Sequence, residues 1–398
     1  MHKVMNYMQT SFAPKVNKIV KNPWIAAIQD AIMTALPLVF VGSLITIVSL
    51  VRNLIPAIPD MTMISNFSFG MFGLVVSFLI AYYVMEKKNN NKYKLIGGAT
   101  SLVFFLMLLY PTLDKTGANM SFILARFGAQ GMFTAIIAGL FVGAVMNFAS
   151  KHSFFSEETA IPDFVVGWTL TGLLRVDVFN VILWLFSPLS AIVQSYPGFV
   201  LSVFIPVFLY TFGISGWVVM PVIYPVYMQG LAQNVKEVAA GGAATHIATQ
   251  ETCYAFSSMG GIGTTLALAV IMLFFSHSAQ LKAIGKAIIV PSVFNINEPL
   301  VFGAPVAFNP YLMVPMWING LLVPTISYLV MTLHLVSVPS KTFLLWYIPY
   351  PITSYLATQD WRAIVVTLVI FAVTWVVFWP FFKAYDNSLL AQEKKAAA

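Results

Sequence analysis

Charge is what this sequence lacks most. Asp, Glu, Lys and Arg together make up 9% of its 398 residues, against about 25% in ordinary globular domains. A soluble surface of that extent cannot be covered with so few charges, which excludes a soluble globular enzyme. Cysteine is nearly absent as well. With Cys253 alone, no intrachain disulfide and no CxxC metal or redox site can form. Polar stretches long enough for a soluble domain are missing too, the longest being the first 22 residues and the extreme carboxyl terminus. The amino terminus has no uninterrupted apolar core of the kind a cleavable signal peptide needs, because Lys3, Lys15, Lys18 and Lys21 divide it.

What the sequence has instead is hydrophobic length. Apolar residues make up 59% and the mean hydropathy is +0.84. Charge-free runs cover residues 31–51, 61–85, 95–113, 127–150, 178–235, 252–281, 299–340 and 363–382. Each is near or above the roughly 20 residues that cross a bilayer as a helix. The chain therefore reads as an all-α polytopic membrane protein. Spans are expected over Trp24–Leu50, Ile64–Met85, Tyr93–Pro111, Ala125–Ala149, Phe164–Ser187 and Gly198–Leu231, then Met259–Ser276 and Trp361–Phe382. Met5, Met8, Phe12 and Ile19 lie at helical spacing among lysines, so residues 1–22 read as an amphipathic segment on the membrane surface. Lys282 and Lys286 mark a second short surface helix.

The net charge of +7 and pI of 9.3 do not make a nucleic-acid patch, because the basic residues cluster in short segments between spans. They are topology signals. Lys3, Lys15, Lys18, Lys21, Lys87, Lys88, Lys92, Lys94, Lys151 and Lys236 fall on the amino-terminal side, and Arg52, Lys115 and Arg126 on the other. Positive-inside bias then puts the amino terminus in the cytoplasm. Lys383, Lys394 and Lys395 after the last span put the carboxyl terminus there too.

Between Pro291 and Pro351 the hydrophobic stretch is broken by repeated prolines, each of which removes a backbone donor and clashes with the preceding turn. Broken or re-entrant hairpins are expected, and irregular backbone at membrane depth survives only around a cavity or inside protein. Within this stretch, Glu298 is the only formal charge between Lys286 and Lys341. A carboxylate costs a few kcal/mol at membrane depth. With Asn295 and Asn297 beside it, Glu298 offers the fixed donors and acceptors that sugar hydroxyls require. The alternative is that it caps a broken helix or pairs with a lysine.

The string Asn295-Ile296-Asn297-Glu298-Pro299-Leu300 resembles the Asn-Glu-Pro motif of the membrane-spanning IIC subunits of the bacterial sugar phosphotransferase system (PTS), in the lactose, cellobiose and diacetylchitobiose branch. Segments Ile25–Leu44, Phe127–Ile136, Met259–Val270, Trp346–Ile352 and Ala357–Ala363 are similar to that family in the same order, over nearly the whole chain. The resemblance implies about ten transmembrane helices, two re-entrant hairpins and short amphipathic helices. It implies a homodimerising scaffold half over 23–195 and a sugar-carrying half over 196–385 that moves like an elevator, followed by a cytoplasmic tail over 386–398. The implied function is disaccharide import across the bacterial cell membrane, coupled to phosphorylation by a separate IIB, itself supplied by IIA. The phosphocysteine donor is not on this chain, and no cofactor, metal or nucleic acid is implied. Glu298 takes the sugar-binding role near the accepting hydroxyl and is a possible base. Trp346 takes the role of a tryptophan that holds the ring, though on its own terms it reads equally as an interfacial anchor. Gly260 and Gly261 of the glycine loop are counted with the sugar-binding residues.

One departure stands out. The family reads Phe-Gly-Ile-His-Gly where this chain has Phe212, Gly213, Ile214, Ser215 and Gly216. Serine binds a sugar hydroxyl but is no base near neutral pH. A non-transporting membrane receptor or regulator on the same fold is therefore the rival reading. Ile262 and Gln359 depart from family glycine-loop and glycine positions as well. Cys253 reads as buried packing and His246 as an ordinary hydrogen-bonded side chain. Gly139 and Gly143 allow close helix approach. Asp30, Asp163, Asp177, Arg175 and Asp360 read as structural or interfacial.

Overall fold

The computed structural model describes Lys15, Lys18, residues 21–151, 160–303 and 306–397. The surface segment expected over residues 1–22 lies almost wholly outside them. The regular structure of the described residues is helical, apart from one short antiparallel pair, Thr112–Leu113 with Met120–Ser121. Two compact units emerge, one from Lys18–Ala191 with Tyr224–Ala232, the other from Ile192–Ile223 with Gln233–Ala398.

In the first unit, α1 (Pro23–Leu54), α4 (Lys94–Leu108) and α5 (Met132–Ala149) pack around α3 (Phe72–Lys87), and α2 (Thr62–Phe67) packs on α1. Asn22 starts α1 by accepting the Trp24 N–H, with Pro23 free to sit at the first position. Close packing rests on small residues. A Cβ on Gly139 would lie 2.5 Å from Ile80 Cβ, and one on Gly143 would lie 2.8 Å from Val84 Cγ1. The glycine pair thus seats α5 on α3 within one chain. Arg126 grips Asp177 through both Nη atoms and donates to the Leu109 carbonyl.

The expected single span Phe164–Ser187 is instead two helices, α6 (Ile161–Trp168) and α7 (Val178–Gln194), whose stretches meet at 94°. Hydropathy does not report direction. The bend comes from the positive φ of Arg175 and from Asp177, which accepts the Asn180 N–H and restarts the helix. The expected span Gly198–Leu231 also divides, into α8 (Tyr196–Tyr210) and α9 (Met220–Ala239), at a turn where Gly213 takes φ +73°.

The second unit continues with α10 (Gln250–Thr252), α11 (Leu266–Phe275), α12 (Ala279–Val293), α13 (Pro310–Thr332), α14 (Ile352–Thr358) and α15 (Arg362–Ala397). Of the expected span Met259–Ser276, only α11 is regular helix. Conversely, α13 runs unbroken through Pro315 and Pro324, where continuous helix was not expected. Pro310 sits in the first turn, where its missing donor costs nothing, and the two interior prolines are buried against neighbours that compensate the lost bonds. The last helix extends well beyond Phe382.

The ends of this unit are identifiable. Asn234 near the end of α9 donates to the Pro339 carbonyl, and Ser337 donates to Asp360 just before α15. At the far end of α15, Asp386 and Glu393 receive bonds from the Ser276–Gln280 segment. Residues 362 and 386 are separated by about 36 Å of helix at 1.5 Å per residue. Lys236 therefore lies with Arg362 at one end, opposite Lys282 and Lys383, which corrects its placement on the same side as the carboxyl terminus. Among the described residues, five helices are long and apolar enough to cross a membrane, and the bent pair makes a sixth.

Gly139→Ile tests the packing of α5 on α3. Overpacking at this contact is expected to cost about 1–3 kcal/mol, seen as a lower midpoint in thermal unfolding of the purified protein, while an unchanged midpoint would show that the two helices separate freely.

Candidate functional site

The site is built from backbone that leaves the helix. Residues Gly260, Gly261 and Gly263 take φ of +78°, +98° and +83°, in the left-handed region that glycine adopts without strain. A Cβ on Gly261 would lie 2.4 Å from Asn297 Cγ, so the loop accepts the Asn297 side chain only because position 261 has none. Asn297 is buried and donates to the Ile262 carbonyl at 2.7 Å and to Thr265 Oγ1 at 3.0 Å. Thr265 in turn donates to the Gly260 carbonyl.

Asn295 binds three segments at once. Its Oδ1 accepts the Gly260 N–H at 2.9 Å, and its Nδ2 donates to the carbonyls of Trp346 at 2.6 Å and Ile348 at 2.9 Å. Both carboxamides are thus engaged within the protein, as supports for what stands beside them. Glu298 is exposed, although it sits on the segment these two asparagines hold. The Tyr210 phenol at the end of α8 faces its carboxylate closely enough to interact with it.

Ser215 is exposed on the turn that follows α8. Thr211 anchors that turn, its carbonyl accepting the Phe308 N–H and its hydroxyl accepting from Trp317 Nε1. A Cβ on Gly216 would lie 3.0 Å from Ile262 Cδ1, so the turn carrying Ser215 rests against the glycine loop. Trp346 is half-buried, with its ring edge-on to Tyr347 at 5.8 Å. The structure therefore gathers the Ser215 turn, the Gly260–Gly261 loop, the Asn295–Glu298 segment and Trp346 into one neighbourhood of the second unit.

Other sequence candidates stand elsewhere or serve as supports. Cys253 is buried in the turn after α10. The His246 ring is 3.4 Å from Glu237, and Gln359 takes φ +56° as the cap of α14, a conformation natural to glycine. Asp360 is buried and gathers bonds from Arg362 and Ser337. The Arg362 guanidinium, above all, holds its carboxyl well below the usual range. No group of three or more metal-ligating side chains occurs among the described residues.

Glu251 was missed by sequence reasoning. It is 1% exposed and accepts the Phe343 N–H at 3.3 Å, on the segment that leads to Trp346. The signal was available, since Glu251 is the only formal charge between Glu237 and Lys282. Alongside it, Tyr350 donates to the Tyr254 carbonyl and Ser354 to that of Ala255. The residues 250–257 and 343–354 are thus joined along their length.

Polar side chains stand here on locked, irregular backbone within a bundle of apolar helices, and comparison with known proteins gives the class, a membrane permease, and its family. The description "Phosphotransferase system, EIIC" matches residues 29–320, and the chain belongs to that family. It is 27% identical to the oligo-beta-mannoside-specific EIIC component of Bacillus subtilis, over 96% of this chain and 94% of that protein. It is 27% identical to the lactose-specific EIICB component of Lacticaseibacillus casei, over 98% and 72% respectively. Its structure resembles that of ChbC, the IIC component of an N,N'-diacetylchitobiose-specific phosphotransferase system, with TM-score 0.87 and 27% identity over 98% of this chain and 99% of that one.

Asn295 provides a test of the supporting network. Asn295→Ala leaves the Gly260 N–H and two carbonyls without their partner, at an expected cost of about 3 kcal/mol in thermal unfolding. Asn295→Asp is expected to be as damaging, because a carboxylate cannot donate to the Trp346 and Ile348 carbonyls. Near-wild-type stability of the Asp variant would mean that these two bonds contribute nothing.

Proposed function

We propose that the chain is the translocating subunit for a disaccharide, of the class named for its relatives: lactose, chitobiose and oligo-mannoside, with cellobiose beside them. The observation that carries this reading is Glu298, exposed on a segment immobilised by Asn295 and Asn297 and faced by Tyr210. A carboxylate so held accepts hydroxyl donors at fixed positions. Trp346 offers an indole face for the apolar side of a pyranose ring, and Ser215, Gly260 and Gly261 border the same space. In this reading Glu298 binds the sugar beside the hydroxyl that receives phosphate from a separate IIB, which draws on IIA. The lactose relative named as an EIICB component supports that partnership, since its name joins the two parts.

The proposed organisation is ten transmembrane helices with two re-entrant hairpins and short amphipathic helices. Residues 23–195 form a homodimerising scaffold. Residues 196–385 carry the sugar by an elevator movement, and beyond them the last helix continues to Ala397. Both termini are cytoplasmic. In the second unit this orientation agrees with the distribution of Lys282, Lys286, Lys383, Lys394 and Lys395 at one end against Lys236, Lys341 and Arg362 at the other.

Glu298→Gln is expected to weaken sugar affinity at least tenfold, or about 1.4 kcal/mol, because a charge-assisted hydrogen bond becomes a neutral one. Calorimetric titration of a monodisperse variant reads this directly. Unchanged affinity would make Glu298 structural.

The serine at 215 favours a second reading, a membrane receptor that keeps the sugar pocket without phosphorylation. Ser215→His, supplied with a compatible IIB and labelled phosphate donor in vesicles, separates the two. Increased phosphorylation of the sugar is expected for a subunit limited by the missing base, since imidazole titrates near neutral pH. If neither form phosphorylates any sugar, the receptor reading replaces the transporter.

A further inference from the structure

The second unit holds a cavity of about 300 Å³ that shares no residue with the Glu298 neighbourhood. Its lining combines apolar Val238, Ala243 and Ala244 with polar His334, Ser337, Ser340 and Arg362. That volume stands at the small end of ligand sites, large enough for a short saccharide.

The polar groups identify the ligand class. Arg362 has five N–H donors. Its Nε and one Nη2 hydrogen go to Asp360, and one Nη1 hydrogen goes to the His334 carbonyl. One N–H remains on each Nη, on a side chain that is 45% exposed and lines the cavity. The buried Asp360 carboxylate lies 2.7 Å from Nη2 and cancels the guanidinium charge. An anion entering here would meet that carboxylate as well as the arginine. An uncharged ligand rich in oxygen meets no such opposition. It can accept from the two remaining N–H groups, exchange hydrogen bonds with Ser340, and lay C–H surface on Val238, Ala243 and Ala244. Carbohydrate has this combination.

Position adds a second argument. The cavity lies at the end of the unit that carries Lys236 and Lys341, the end opposite Lys282 and Lys383, and so on the outer face under the orientation proposed above. From Ser340 the chain runs through Phe343, held by Glu251, to Trp346, held by Asn295. We propose that this cavity is a second, weaker saccharide-binding subsite, which takes the same class of sugar on the outer face before it reaches Glu298. The inference rests on the sugar-binding reading of Glu298.

The experiment is calorimetric titration of the full-length protein in lipid nanodiscs with cellobiose, lactose and N,N'-diacetylchitobiose, and separately with inorganic phosphate. Two phases are expected for the sugar that binds. Ala244→Trp and Ser340→Trp, which each fill the cavity from a different segment, are expected to abolish the weaker phase and leave the stronger one within twofold. Glu298→Gln is expected to weaken the stronger phase at least tenfold and to leave the weaker one within twofold. A single phase lost in Glu298→Gln and untouched by either tryptophan variant overturns the subsite while leaving the Glu298 reading intact. Displacement of the weak phase by phosphate overturns it in favour of an anion site. Absence of any sugar phase in the wild type overturns both readings.

Discussion

A hydrophobic bundle offers little water to backbone groups that leave the helix, so each irregular turn in it must find its hydrogen bonds within the protein. Asn295 meets that demand for three turns together. One carboxamide satisfies the Gly260 amide and the carbonyls of Trp346 and Ile348. Asn297 does the same for Ile262. Without these bonds neither the glycine loop nor the Trp346 turn has a partner on that side, and Glu298 has no fixed support.

Glu251 and Glu298 divide two tasks between them. Glu251 is 1% exposed and directed at backbone; the bond it accepts from the Phe343 N–H holds the segment that leads to Trp346. Glu298 is exposed, and a carboxylate left to solvent on rigid backbone is available to something that arrives. Tyr210 adds a phenol from a separate helix. A polar ligand in this place would therefore meet groups drawn from distant parts of the chain but held by one set of interior hydrogen bonds.

Much of this was legible in the sequence. The membrane class followed from charge alone, and Glu298 followed from its isolation in an apolar run. The same criterion applied to residues 238–281 would have found Glu251. The bend between α6 and α7 was hidden because hydropathy counts residues and is blind to direction; Asp177 and the positive φ of Arg175 carry that information. Proline density misled at α13, where burial of Pro315 and Pro324 against neighbours outweighs the lost donors. The bonds of the Asn295 and Asn297 carboxamides to interior backbone could not be read from residue type, since the partners lie up to 53 residues away. The placement of Lys236 failed for a similar reason. An apolar run without charges gives no sign that it turns back on itself at Gly213.

The geometry at position 295 has a consequence for sequence variation. The residue holds φ +63°, which suits glycine and, among residues with side chains, asparagine and aspartate best. Glycine would satisfy the backbone but supply no amide. Aspartate would accept from Gly260 and repel both carbonyls, and glutamine would carry its amide one methylene too far while straining the backbone. Asparagine alone meets the conformational and the chemical requirement, so this site has effectively one letter open to it. A change here forfeits the frame that holds the glycine loop, the Trp346 turn and the Glu298 segment together.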